Sequence, residues 1–114
     1  MKAVIKSGNR KIKCRVAETE WQKFKGLMLK KKIKPIMFVF NIEKRYPFHT
    51  FFMLKPIDLI FINANKQIVE KRTVKPWRPL IVPKKPIKYA LELPEGEGKK
   101  LKEKQIKLSF PKAI

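Results

Sequence analysis

The chain has 114 residues, 44% of them hydrophobic, so one modest core is possible and the composition argues against intrinsic disorder. Its 29 Lys and Arg residues face only 9 Asp and Glu residues, which gives a formal net charge of +20. Thermophile proteins are also rich in Lys, but they typically raise Glu alongside it, and here the acids are few. The charge therefore predicts a basic domain that must tolerate self-repulsion or bind a polyanion.

The number of cysteines and the length of the apolar runs indicate the expected cellular location of the protein. Cys14 is the only cysteine, so no internal disulfide can form, and we expect a reducing, cytoplasmic location. The first residues are basic, but further charges follow where a signal peptide requires its apolar stretch. The apolar runs are far shorter than the ~20 residues that span a bilayer. We expect no membrane span and no membrane partner.

The first part of the chain predicts a hairpin and then a helix. Residues 1–7 and 11–17 alternate between apolar and polar side chains, and Gly8-Asn9 between them favours a tight turn. A Thr-Glu-Trp-Gln capping box follows, and apolar residues then recur at helical spacing. This pattern predicts one short amphipathic α-helix over residues 19–32, which ends before Pro35.

The remainder of the chain predicts mainly strands. The predicted strands cover residues 36–41, 48–54, 57–63, 67–74, 89–93 and 105–110. The run Asn63-Ala64-Asn65-Lys66 favours a tight turn between two of them. We find no internal repeat or linker, which favours a single domain over residues 1–114. Many short strands in one domain predict a mainly β fold, a small antiparallel barrel-like domain.

Two stretches between the strands have a distinct composition. Four prolines lie between Pro76 and Pro86 together with Trp77 and Arg78, which predicts a stiff, extended surface loop. Further on, Gly96-Glu97-Gly98 leads into a lysine-rich segment and predicts a short helical turn before the last strand. The amides of this turn could bind a phosphate, although neither P-loop nor dinucleotide spacing is present.

Several phrases occur in an order that resembles a known family. They are Gly26-Leu27-Met28, Met37-Phe38-Val39-Phe40, His49-Thr50-Phe51-Phe52-Met53, Pro56-Ile57-Asp58, the proline-rich stretch and Tyr89-Ala90-Leu91-Glu92-Leu93-Pro94-Glu95-Gly96. Together they resemble the domain of unknown function 192, also called uncharacterised protein family 0127, over roughly residues 12 to 110. The resemblance implies a small, mainly β, barrel-like domain and implies no reaction. The chain departs from the family where Leu54-Lys55 leads directly to Pro56, so a role for the family's Asn or Thr at that point cannot be carried over.

Asp58 is the first candidate for a functional residue because it is the only aspartate and lies in an apolar strand. Alternation places Asp58 on the same face as Ile60 and Ile62, where a carboxylate must find partners. It is either a general base or ligand anchor, or a structural carboxylate that holds turn amides or an Arg side chain. The structural alternative is the more common one.

A pocket for a small molecule is predicted near the same family-like runs. Its ligand-binding candidates are Asp58, His49, Trp77 and Arg78. Cys14, His49, Asp58 and Glu92 lack the spacing of a zinc site, so we predict no metal site and no cofactor. A Cys14–His49 nucleophilic pair has no family signature around it, so we predict no catalytic residues and expect that the chain is not an enzyme.

Lysine clusters give the second function hypothesis, a binding module for nucleic acid or another polyanion. If the clusters meet on one side of the domain, they form a surface for phosphate backbones; otherwise they are a solvated surface. The clusters are Lys30, Lys31, Lys32 and Lys34; Lys84, Lys85 and Lys88; and Lys99, Lys100, Lys102 and Lys104. Two hypotheses remain open: a polyanion-binding module, and a small-molecule binding domain or cryptic enzyme with a pocket near Asp58, His49 and Trp77.

Overall fold

Seven strands form one curled sheet in the computed structural model, which describes residues 2–17, 33–50 and 53–110. The strands are β1 (Lys2–Ser7), β2 (Arg10–Ala17), β3 (Ile36–Lys44), β4 (Ile57–Ile62), β5 (Ile68–Val74), β6 (Ile87–Pro94) and β7 (Lys107–Ser109). Their order is β5-β4-β6-β3-β2-β1-β7, and every neighbouring pair is antiparallel except β2 and β3. The sheet curls into a half-barrel, which confirms the predicted mainly β, barrel-like fold.

Helical structure in the described residues is limited to one 3-10 turn at Glu97–Lys100, which confirms the predicted short turn after the glycines. The amphipathic helix predicted over residues 19–32 lies outside the described residues. In the described part of the chain, no helix has the length and apolar content needed to cross a membrane.

Two tight turns agree with their predicted positions. Ser7 pairs with Arg10 across a two-residue loop, and Gly8 there has a φ of 58°, a conformation that favours glycine. In the second turn, the Asn63 Oδ1 accepts hydrogen bonds from the backbone N–H groups of Asn65 at 3.0 Å and Gln67 at 2.9 Å. An Asn side chain thus satisfies turn amides that no strand partner reaches.

The segment before β7 joins the two ends of the sheet. The Ile68 N–H donates to the Lys104 carbonyl at 2.8 Å, and the Ile106 N–H donates to the Lys66 carbonyl at 3.0 Å. Because β7 also pairs with β1, this segment links the edge at β5 to the edge at β1. The half-barrel is therefore closed at one point by backbone hydrogen bonds.

Apolar side chains pack on both faces of the sheet. The inner cluster draws on every strand from β1 to β6 and on Leu101 and Ile106 of the closing segment. The outer cluster draws mainly on β3, β4 and β6, with Ala17 at the end of β2 and Val74 at the end of β5, beneath residues such as Phe48 and Ile81. Strand β4 is buried along its whole length because it contributes to both clusters. In the described ranges, the outward-facing cations of β1, β2 and β7 are exposed to solvent.

The predicted strand over residues 48–54 is wrong for its described residues. Phe48 and Ile81 exchange two backbone hydrogen bonds of 2.8 Å, but this bridge is isolated. The next hydrogen-bonded positions along such an antiparallel ladder would use Pro79 and Pro83, which have no N–H to donate. The apolar pattern instead reflects packing of Phe48 and Met53 in the outer cluster.

The hairpin turn provides a test of backbone strain. We expect Gly8→Ala to lower the free energy of unfolding by about 1–2 kcal/mol, because an L side chain is strained at the positive φ of this residue. Asn9→Ala is the matched control, with an expected effect within about 0.5 kcal/mol, since Asn9 is exposed. Urea unfolding of the two variants measures the difference, and equal stability would contradict the strain assigned to Gly8.

Candidate functional site

The carboxylate of Asp58 is buried and fully engaged by the protein. Its Oδ2 accepts backbone hydrogen bonds from Gly96 at 3.0 Å and Gly98 at 2.8 Å. Its Oδ1 accepts a hydrogen bond of 2.8 Å from the Thr73 hydroxyl on the neighbouring strand. With 5% of the residue exposed, this arrangement corresponds to a carboxylate that holds turn amides. We call these contacts the Asp58 latch.

The latch explains why glycines flank the 3-10 turn. A Cβ atom on Gly98 would lie 2.9 Å from the Asp58 Oδ2 and 2.9 Å from the Ile60 Cδ1. Gly96 has a φ of 92°, which an L side chain rarely adopts. The backbone amides of Gly96 and Gly98, which the sequence suggested for a phosphate, therefore bind the Asp58 carboxylate. Backbone concavities of this kind commonly bind anions.

Thr50 joins the segment of His49 to the proline-rich loop. The Thr50 hydroxyl donates to the Lys75 carbonyl at 2.7 Å and accepts from the Arg78 N–H at 2.8 Å. The Thr50 carbonyl accepts from the Trp77 N–H at 2.8 Å. These contacts hold Trp77 at a φ of 62° with 55% of the residue exposed. Thr50 is not among the site residues predicted from the sequence, although it belongs to the family-like run His49-Thr50-Phe51-Phe52-Met53.

The ligand-binding candidates do not come together in one place. The structure brings the segment of His49 beside Trp77 and Arg78, over the outer cluster. Asp58 lies on the opposite face of β4, the face of Ile60 and the inner cluster. The sheet therefore separates the carboxylate from the other three candidates.

Cys14 and Glu92 are buried at separate positions. The Cys14 thiol lies in the inner cluster, 3.6 Å from the Ala3 carbonyl, and burial raises the pKa of this thiol to about 11. His49 follows Phe48 of the outer cluster, so the sheet separates it from Cys14. Glu92 lies between Ile36 and Leu59 in the sheet and is fully buried. In the described ranges, no three His, Cys, Asp or Glu side chains form a group that could hold a metal ion.

A set of aligned cations covers the open outer surface of β1, β2 and β7. Lys6 lies directly opposite Lys11 on one side and Lys107 on the other. Lys2 lies opposite Arg15, and Lys13 lies opposite Val4. All of these cations are exposed, and residues directly opposite share a face of the sheet. We call them the basic face: Lys2, Lys6, Lys11, Lys13, Arg15 and Lys107.

The side chains of the basic face have no internal counter-charge. Across residues 2–17, 33–50 and 53–110, no ion pair or side-chain hydrogen bond involves any of the six. Other cations are engaged: Arg72, for example, bonds to Glu70 and to the Val82 carbonyl. Like charges directly opposite each other in a sheet are destabilising, so this face carries a cost in the free protein.

The predicted lysine clusters have different positions relative to this face. Lys30, Lys31 and Lys32 lie outside the described residues, and Lys34 is exposed just before β3. Lys84 and Lys85 are exposed in the proline-rich loop, whereas Lys88 is half-buried on β6. Lys99 and Lys104 are exposed, and Lys100 and Lys102 line a groove of about 380 Å³ with Gly8, Asn9 and Arg10 of the hairpin.

The fold and the site together define a small half-barrel β-domain. Its buried Asp58 carboxylate accepts hydrogen bonds from within the protein, and the exposed outer face of β1, β2 and β7 is basic. The chain belongs to the family DUF192, described as "Uncharacterized ACR", whose model matches residues 3–107. The predicted family is thereby confirmed.

Named relatives agree with this assignment, and a solved structure shares the fold. The chain is 40% identical over 95 residues to UPF0127 protein PF1050 of Pyrococcus furiosus, covering 82% of this chain and 81% of the relative. It is 39% identical over 92 residues to UPF0127 protein PYRAB11210 of Pyrococcus abyssi, covering 79% and 78%. A protein of unknown function from Novosphingobium aromaticivorans has a similar fold, with a TM-score of 0.79, 17% identity, and coverage of 96% of this chain and 84% of that chain.

The Asp58 latch predicts a stability role for the carboxylate. We expect Asp58→Ala to lower the free energy of unfolding by about 1–3 kcal/mol, because it leaves the buried amide of Gly98 without an acceptor and also removes the hydrogen bonds from Gly96 and Thr73. Thr73→Val removes a single donor and should cost less, about 1 kcal/mol. Urea unfolding compares the two, and an Asp58→Ala protein as stable as the parent would contradict the latch.

The burial of Cys14 predicts an unreactive thiol. With the pKa at about 11, only about one thiol in a thousand is ionised at pH 8, and the thiolate is the reactive form. We expect iodoacetamide to leave the native chain unmodified at pH 8 and to label it fully in concentrated urea, as read by mass spectrometry. Rapid labelling of the native protein would show that the thiol is neither buried nor protonated.

Proposed function

We propose that this chain is a binding module for polyanions and that the basic face is its binding surface. The observation that carries the proposal is the alignment of exposed cations in rows across β7, β1 and β2, such as Lys107, Lys6 and Lys11. Neighbouring strands lie about 4.8 Å apart, so these charges repel one another in the free protein. A bound polyanion would remove this repulsion.

The location of the basic face also favours binding. It lies on a part of the outer surface that the described loops do not cover, since the outer cluster includes only Ala17 of β2 and no residue of β1 or β7. Lys and Arg side chains on such a surface reach an extended ligand without moving the backbone. Release of condensed counterions by the ligand then supplies favourable free energy that depends on salt.

The alternative, a pocket for a small molecule around Asp58, His49 and Trp77, gains no support from the geometry. Both carboxylate oxygens of Asp58 already accept hydrogen bonds from the protein. The sheet also separates Asp58 from the segment that contains His49. The pocket remains a prediction from the sequence alone.

A charge-matched pair of variants tests the proposal. We expect Lys6→Gln/Lys11→Gln to weaken binding of labelled oligothymidine and of heparin, and to reduce the slope of log affinity against log salt by about 1.4 for the single strand. Lys84→Gln/Lys85→Gln removes the same charge from the proline-rich loop and should leave the slope near that of the parent. Fluorescence anisotropy over a salt series measures both.

Stability measurements separate a binding defect from an unfolded protein. The variant at Lys6 and Lys11 should be at least as stable as the parent, because it removes a repulsive cross-strand pair. Equal losses of affinity in the two double variants would show that net charge, and not the basic face, determines binding. Absence of binding to either polyanion near 50 mM salt would reject the proposed function.

A further inference from the structure

We infer that the ligand of the basic face is a single strand of nucleic acid, whose phosphates follow β2 and whose path continues into a groove at the hairpin end, where Glu97 competes with them. This inference rests on the proposed polyanion function and adds the ligand class and the path. It depends on the spacing of cations along β2, on the curvature of the sheet and on the ion pairs of Glu97.

The spacing of cations along β2 suits a nucleic-acid backbone. Lys11, Lys13 and Arg15 are exposed at alternate positions of the strand, so they project from one face about 6.7 Å apart. This distance is close to the separation of successive phosphates in an extended strand. A straight row of cations can therefore contact consecutive phosphates of one strand.

The shape of the surface favours a single strand over a duplex. The basic face is on the outer side of a curled sheet and is therefore convex. The backbone of a duplex winds away from a straight row of cations, so a convex surface touches it at few phosphates. An extended single strand can remain in contact along the whole of β2, which increases the number of counterions released.

The row of cations leads into a groove beside the 3-10 turn. Before Arg15 of β2 no β3 partner is present, and an open groove of about 270 Å³ lies between this part of β2 and the end of β6. Its lining includes Arg10, Lys11, Lys13, Pro94 and Glu97. Arg10 also lines the second groove with Lys100 and Lys102, so the two grooves adjoin. Cations thus continue from β2 around the hairpin end, where the second groove is also lined by Glu103.

Glu97 lines the first groove and forms ion pairs with Arg10, which lines both grooves, and with Lys100, which lines the second. Its Oε2 lies 3.2 Å from the Arg10 Nη2, and its Oε1 lies 3.0 Å from the Lys100 Nζ. A carboxylate between two cations takes the position that a phosphate group would take on the same path. Both ion pairs are partly exposed and therefore weak, so a phosphate can replace the carboxylate.

Removal of the competing carboxylate tests the path. We expect Glu97→Gln to raise the affinity for an oligothymidine of about 12 nucleotides by about threefold, as expected for loss of a competing exposed ion pair. Glu43→Gln is the matched control, because it removes the same charge at the end of β3, and its side-chain oxygen can still accept the Ala64 N–H. It should change the affinity by much less.

Ligand class is tested with the same protein and three probes at equal phosphate or sulfate concentration. We expect the parent to bind oligothymidine more tightly than a duplex hairpin or heparin, and we expect Lys13→Gln to reduce the salt slope for oligothymidine by about 0.7. Lys85→Gln, which removes a charge away from β2, should leave that slope unchanged.

The outcomes separate this inference from the proposed function. Equal effects of Glu97→Gln and Glu43→Gln, or tighter binding of the duplex or heparin, would overturn the single-strand path while the basic face still bound polyanions. Failure of all three probes to bind would reject the proposed function itself. A larger effect of Glu97→Gln together with preference for the single strand would support the inference.

Discussion

The hydrogen bonds of Asp58 determine where the C-terminal part of the chain lies. By accepting the amides of Gly96 and Gly98, the carboxylate places the 3-10 turn against the end of the half-barrel. The chain can then pass Leu101 and Ile106 into the inner cluster and pair with β5 before it reaches β1 as β7. A buried carboxylate without these donors would be strongly unfavourable, so the turn and the strand require each other.

The two faces of the sheet have different surroundings, and this difference produces the basic face. The inner face carries the inner cluster, whereas the outer face is covered by loops over β3, β4, β6 and part of β5. The proline-rich loop is held in place by Thr50 and by Arg72, which bonds to the Val82 carbonyl and lies over the Phe61 ring. Because that cover does not extend over β1, β2 and β7, the outward positions there are exposed and carry Lys and Arg.

Much of the fold could be predicted because it depends on patterns among neighbouring residues in the sequence. Alternation identified the first hairpin and placed Asp58 on the face of Ile60, and glycine spacing identified the 3-10 turn. The strand predicted over residues 48–54 was wrong because its pairing depends on Pro79 and Pro83, which lie far away in the sequence. No local pattern around Phe48 indicates that two prolines will lie on either side of its partner Ile81.

The candidate site was less predictable because it depends on register. The lysine clusters predicted from the sequence are runs along the chain, whereas the basic face joins alternate cations of the first hairpin to Lys107 of β7, which is distant in sequence. Lys6 and Lys107 meet only because β7 pairs with β1 in one register, and a shift by one residue would turn these side chains to the other face. The Asp58 latch sets where β7 begins, since the turn it holds precedes the closing segment.

The turn at Glu97–Lys100 therefore has two sides with different roles. Its amides face inward to Asp58 and contribute to stability, while the side chains of Glu97 and Lys100 face outward beside Arg10. A structural role for Asp58 and a binding role for this turn are thus compatible, because they use different atoms. Since the amides hold the backbone in place, a ligand that displaces the Glu97 carboxylate has to move a side chain only. The buried Asp58 carboxylate in this way supports the surface that we propose as the binding site for an external anion.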